Sequence, residues 1–361
     1  MKVALFKINN IIRTFNMKKI LHIFLFFTVL YSPWTGSALH AEESENSFFS
    51  LNEDELNLEK KQLDLLELTV ETNLAFRFFH NKIPFYLKQF ETKDLTETAE
   101  YKYFRALDYY NKNSKSEALL YAVKSAEIDK SYSPSLNLIG VLYTDAGRIS
   151  EATDYFKRSV KESPWDPTFN YNYANNLYQM NKSEEALHYA DTSIQLKSNV
   201  KDAAYLKGLI LIELNRKKEA SFAFDLARLN GLNTEDFIKK YMRVALDTAD
   251  EIKSLELLTQ IESYNDIDSK RMAVAVRMKM GEYAKVKNLL LPFIFTDKAN
   301  LKDKENYVIA VFKMKGDFQE LDRLTADETE KIHLAKLVDT LKNNINPSMP
   351  EIRDPILNPI N

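Results

Sequence analysis

Between Ser133 and Pro167 the apolar residues fall on a helical rhythm. Leu136, Ile139 and Tyr143 are three and four residues apart, and Tyr155, Phe156 and Val160 carry an apolar stripe along a second segment. Gly147 separates the two where a helix end favours positive φ. Pro164 closes the second segment, because proline lacks an amide donor and restricts the residue before it. The pattern predicts a helix hairpin.

Small residues show that the hairpin is repeated. Ala152 is preceded by Ala118 and followed by Ala186 and Ala220, all at steps of 34 residues. The same step carries Gly140 onto Ala106, Ala174 and Gly208, and Ser159 onto Ser125, Ser193 and Ala227. Helix axes approach to about 8–10 Å, and the near end of that range requires small side chains at the crossing. Gly140 and Ala152 are therefore expected to face each other within a hairpin, with Ser159 meeting the next one. Asn181 and Asn215 replace Gly147 at the two following turns.

With Leu136, Ile139, Gly140, Tyr143, Ala152, Phe156, Ser159 and Pro164 in this register, the chain resembles the tetratricopeptide repeat family, whose unit is a helix-turn-helix of about 34 residues. The match is close over 133–166 and good over 201–234, where Gly208, Leu211, Ala220, Phe224 and Ala227 stand in register. It is looser over 99–132, where Arg105 replaces an apolar residue and Lys130 the proline. It is also looser over 167–200, where Leu177 and Ala190 replace the expected aromatic residues. The resemblance implies an all-α solenoid of antiparallel helix hairpins. Beyond residue 234 the exact period fades but helical character persists to residue 343. Asp236–Thr259, Arg271–Phe293 and Asn306–Leu324 each read as a divergent or capping hairpin, the last two with Gly281 and Gly316 at their turns. Residues 42–98 are read as an N-terminal helical region broken near Pro84. Residues 344–361, with four prolines, are read as an irregular tail.

Charge and composition narrow the function. The net charge of −3 supplies no electrostatic footprint for nucleic acid. Only 7 glycines among 361 residues, each needed at a turn or helix crossing or lying before residue 42, leave no loop to cradle phosphate. The absence of cysteine removes disulfides, thiolate metal sites and cysteine nucleophiles. His188 and Asp191 share a helix face, but the repeat register puts them in solvent. No metal site, cofactor or catalytic constellation is therefore expected. From Met17, a second start, the chain reads Lys18 and Lys19, an apolar run from Ile20 to Ser32, Pro33, and then small residues ending at Ala38 or Ala41. That is the layout of a cleaved secretory signal over residues 1–41, and its apolar run is short of the roughly 20 residues that span a bilayer. A bacterial, periplasmic or envelope-associated protein with no membrane span after cleavage is the expectation.

The resemblance also implies a binding face. In the family, unit positions 2, 5, 9 and 12 of the first helix line a concave groove. Here these are Glu100, Tyr103, Leu107 and Tyr110; Pro134, Asn137, Val141 and Thr144; Thr168, Tyr171, Asn175 and Tyr178; and Asp202, Tyr205, Leu209 and Ile212. Broad tyrosine faces and asparagine amides suit a peptide with apolar anchors. The expected occupant is a protein or peptide partner. The carboxylate clamp used by some members is not expected, because Tyr171 stands at the lysine position. The alternative is an architectural protein that self-associates through its convex face or its C-terminal units.

Overall fold

The structure, a computed structural model, describes residues 53–78, 83–196 and 201–344. The signal segment and almost all of the proline-rich tail lie outside these residues. The chain divides into two compact units, Met1–Asp64 and Leu65–Asn361. The described part of the first is the beginning of helix α1 (Glu53–Phe78), which continues into the second. No helix among the described residues is long and apolar enough to cross a membrane.

The second unit is all-α, and no strand occurs among the described residues. After α2 (Ile83–Thr92) come paired helices: α3 (Ala99–Asn111) with α4 (Lys115–Ile128), α5 (Ser133–Asp145) with α6 (Ile149–Glu162), α7 (Pro167–Gln179) with α8 (Ser183–Leu196), and α9 (Lys201–Glu213) with α10 (Lys217–Leu229). The pairing continues with α11 (Glu235–Asp247) and α12 (Glu251–Ser263), then α13 (Ile267–Lys279) and α14 (Tyr283–Leu290). The end is built from α15 (Leu301–Lys315), a single turn α16 (Leu321–Leu324) and α17 (Glu328–Asn343). Each second helix packs on the first helix of the following hairpin, so the units stack as a solenoid.

One turn recurs. Asn113, Gly147, Asn181, Asn215, Ala249 and Gly281 all have left-handed backbones, with φ between 54° and 75°. In each, the next amide reaches the carbonyl five residues back, as in Arg148 N–H to Tyr143 O at 2.9 Å and Asp250 N–H to Ala245 O at 2.8 Å. This Schellman arrangement satisfies the orphan carbonyls of the first helix. Helix starts are equally explicit. Asp166 accepts from the amides of Thr168 and Phe169 ahead of Pro167, and Asn300 and Asp303 form a reciprocal capping box on α15.

At the expected crossing the ring of Phe156 also lies against Gly140: a Cβ built on Gly140 would come within 2.7 Å of it, and one on Gly208 within 2.1 Å of Phe224. The other two hairpins carry Ala106 with Ala122 and Ala174 with Ala190 at these positions, all four fully buried. The sizes are reciprocal across the pair: glycine stands opposite phenylalanine and alanine opposite alanine. Ala118, Ala152, Ala186 and Ala220 are themselves fully buried beside this seam. The serine column differs from expectation. Ser125 and Ser193 donate to Ala99 O and Pro167 O at 2.6 and 2.7 Å, tying each second helix to the start of its own first helix. Only Ser125 additionally meets the next hairpin, accepting from Ser135 at 2.6 Å.

The last unit departs from the expected hairpin after Gly316. Residues 317–320 are not helical. Asp317 accepts from Phe318 N–H and from Gln319, and Phe318 is buried edge-on to Tyr307 with ring centroids 6.2 Å apart. Burying Phe318 there delays the helix until Asp327 caps α17.

Candidate binding groove

The first helices define the inner face. Successive first helices touch directly, as α5 with α7, α7 with α9, α11 with α13 and α13 with α15, whereas successive second helices make at most marginal contact. The stack therefore curves toward the first helices. A stripe at unit positions 5, 9 and 12 runs along this side because those residues are four and three apart.

Of the residues that sequence places on this face, several hold neighbouring hairpins together. Tyr103 is edge-to-face with Tyr132 at 5.7 Å. Tyr110 donates to Asp145 at 3.4 Å, and Lys115 from the same hairpin pairs with that carboxylate at 2.8 Å. Lys217 and Asp247 repeat this link three units on, at 2.7 Å. Asn137 accepts from Asn172 at 2.9 Å. Tyr205 donates to Asp236 at 3.0 Å while its ring packs against Phe224 and Phe237. Burial first, and then this carboxylate, push its phenol well above the usual range. Leu107 is only 6% exposed, so it belongs to the core rather than to the face.

Of the tyrosines and asparagines placed on this face, three make no such link. Tyr171, Asn175 and Tyr178 of α7 are half-buried, and their side chains make no hydrogen bond among the described residues. Burial raises both phenol pKa values, with the Asp202 carboxylate adding to Tyr171 and Glu213 adding to Tyr178. Both phenols stay neutral at physiological pH, with hydroxyls able to donate and accept. With Leu209 and Ile212 half-buried on α9, they form an aromatic and aliphatic strip with polar atoms at its edges. Sequence reasoning missed the carboxylate at its far end, Glu213, which lies one residue beyond the family's lining position. His188 is exposed and Asp191 is engaged by Lys207 at 2.5 Å. Among the described residues no group of three or more His, Cys, Asp or Glu side chains is placed to hold a metal ion.

Helix hairpins at this spacing, with a recurring left-handed turn and small residues at the crossing, form a solenoid of the tetratricopeptide-like kind. Residues 145–226 match the family described as anaphase-promoting complex, cyclosome, subunit 3. Among solved structures, the chain is similar to YrrB, described as a tetratricopeptide repeat protein with an unusual peptide-binding site: identity is 19%, coverage 54% of this chain and 96% of that one, and the TM-score 0.42. It is similar to pilF of Pseudomonas aeruginosa at 13% identity, covering 57% and 95% of the two chains, with a TM-score of 0.48. A tetratricopeptide repeat protein from Parabacteroides merdae is 14% identical over 67% of this chain and 98% of its own, with a TM-score of 0.42. No curated protein matches.

Proposed function

We propose that this chain is an exported scaffold that holds a protein or peptide partner in the groove of its first helices, serves assembly at the cell envelope, and performs no chemistry of its own. The observation that carries this reading is the strip of Tyr171, Asn175 and Tyr178. Equivalent side chains in adjoining hairpins hydrogen-bond across the seam, whereas these three have hydroxyls and an amide with no hydrogen-bond partner among the described residues, and the two rings rest with one side against the core. Removing both rings by Tyr171→Ala with Tyr178→Ala is expected to abolish partner capture from the protein's own cells while the protein still melts cooperatively, at a temperature lowered by the lost ring packing. An unchanged set of captured partners would overturn the groove reading. The lysine-led, apolar start of the chain supports export, and N-terminal sequencing of the exported product, expected to begin near residue 42, tests it.

A second reading has one observation in its favour. Phe222 and Leu229 on α10 and Ile252 on α12 are 73, 84 and 73% exposed, more than a soluble surface requires of residues this apolar. Self-association through these second helices predicts a concentration-dependent oligomer in light scattering that Phe222→Ser dissociates. A monomer at all concentrations would dismiss it.

A further inference from the structure

The charges beside the strip are unbalanced. Most acidic groups on the other first helices are paired, Asp108 with Lys112 at 2.8 Å, Asp145 with Lys115 at 2.8 Å, Asp247 with Lys217 at 2.7 Å, and Asp236 with Lys240, whereas Glu100 of α3 is half-buried without an ion pair among the described residues. Asp202 and Glu213 on α9 are both exposed, and neither has an ion pair among the described residues. Lys201, the adjacent cation, is exposed and forms no ion pair with Asp202. Lys207 points away, bound to Asp191 at 2.5 Å. No lysine or arginine occupies the inner-face positions of the four hairpins from Ala99 to Thr234.

The two carboxylates are also in register. Eleven residues of helix advance about 16 Å and return to within about 20° of the starting direction, so Asp202 and Glu213 flank one side of the strip at its two ends. Leu209 lies on the same line between them. Across from them, the Tyr171 hydroxyl feels the Asp202 carboxylate and the Tyr178 hydroxyl feels Glu213. Each end of the strip thus combines a carboxylate without a cation and an aromatic face, both of which attract positive charge.

Building on the groove reading above, we propose that its occupant is an extended, basic stretch of protein, with apolar side chains over Tyr171 and Tyr178 between two cationic side chains that meet Asp202 and Glu213. An extended chain advances about 3.3 Å per residue and turns every second side chain to the same face, so two cations about six residues apart, with stems that bend inward, share a face with the apolar side chains between them and reach both carboxylates. The tyrosines and leucine supply contact area, and the carboxylates set polarity and exclude acidic competitors.

The test uses the full mature chain and two fluorescein-labelled peptides, read by anisotropy. Both carry Ala-Leu-Ala-Phe-Ala at the centre. One has a lysine at each end of this pentad, and the other has a glutamate at each end, so that the end residues, leucine and phenylalanine share one face of the extended chain. The lysine peptide is expected to bind about tenfold more tightly, the advantage of two exposed ion pairs, and to weaken as salt is raised. Asp202→Asn with Glu213→Gln is expected to erase the difference without altering the melt. Equal affinities, no binding of the lysine peptide, or an advantage that survives the double variant would each overturn the charge assignment. The groove reading fails separately, if Tyr171→Ala with Tyr178→Ala leaves lysine-peptide binding intact. Equal binding of both peptides that these tyrosine variants abolish would leave the groove standing and remove only its preference for cations.

Discussion

Gly140 and Phe156 illustrate how one residue's size is set by another's. The ring occupies the volume that a Cβ on Gly140 would need, and Gly208 is tighter still against Phe224. Overpacking a filled core costs about 1–3 kcal/mol. Gly208→Ala is therefore expected to lower stability by about that amount in a denaturant melt, with Gly140→Ala at the lower end. Conversely, Ala190→Phe alone should destabilise, and adding Ala174→Gly should recover most of the loss; failure of this rescue would show that the two positions do not share one volume. Ala152→Leu, in a fully buried site, should cost a similar amount. The columns of small residues were legible in sequence because a fixed step repeats them. Their partners were not, since Ala122 and Ala190 stand where phenylalanine stands in the other two hairpins, and the compensation shows only when both helices are in place.

Turns and caps decide where each helix ends. Five of the six equivalent left-handed turns use glycine or asparagine, but α11 ends at Ala249, with φ of 54°. A left-handed alanine costs about 1–2 kcal/mol, and glycine would return part of that as chain entropy. Ala249→Gly is thus expected to stabilise the protein by about 0.5–1 kcal/mol in the melt, and a loss would contradict the strain. Ala249 also explains why the fifth hairpin is faint in sequence: its turn lacks the glycine or asparagine signal, and the next turn follows after 32 residues rather than 34. At the following seam Asp266 caps α13 through Ser269 and binds Lys239 at 2.8 Å. Partial burial disfavours its charge, but Lys239 and Ser269 prevail and hold its carboxyl well below the ordinary 3.8. A folded-state pKa below the unfolded one means that this stabilisation is full above about pH 4 and fades as pH falls toward the folded value. Asp266→Ala should cost about 1–2 kcal/mol at pH 7, a cap plus a partly exposed pair, and should show a shallower loss on acidification. The short break after Gly316 was hidden because its cause, Phe318 buried against Tyr307, is a tertiary contact.

Stacking turns these local rules into one curved array with its first helices inside. The periodic columns made the hairpins and their order readable over residues 99–234, and the inner-face positions followed from the family register. What sequence left open was how each inner tyrosine is used: Tyr103, Tyr110 and Tyr205 join hairpins, while the hydroxyls of Tyr171 and Tyr178 make no hydrogen bond among the described residues, because partnering depends on what the adjoining unit presents. The central claim is that a partner lies along α7 and α9, and site-directed cross-linking in the protein's own cells tests it most directly. A photoreactive phenylalanine analogue is placed at Tyr178, facing the groove, or at Glu185, exposed on α8. The groove reading predicts a discrete cross-linked protein from Tyr178 that is absent from Glu185 and lost on Tyr171→Ala. The same adduct from Glu185, or an adduct only there, would contradict it.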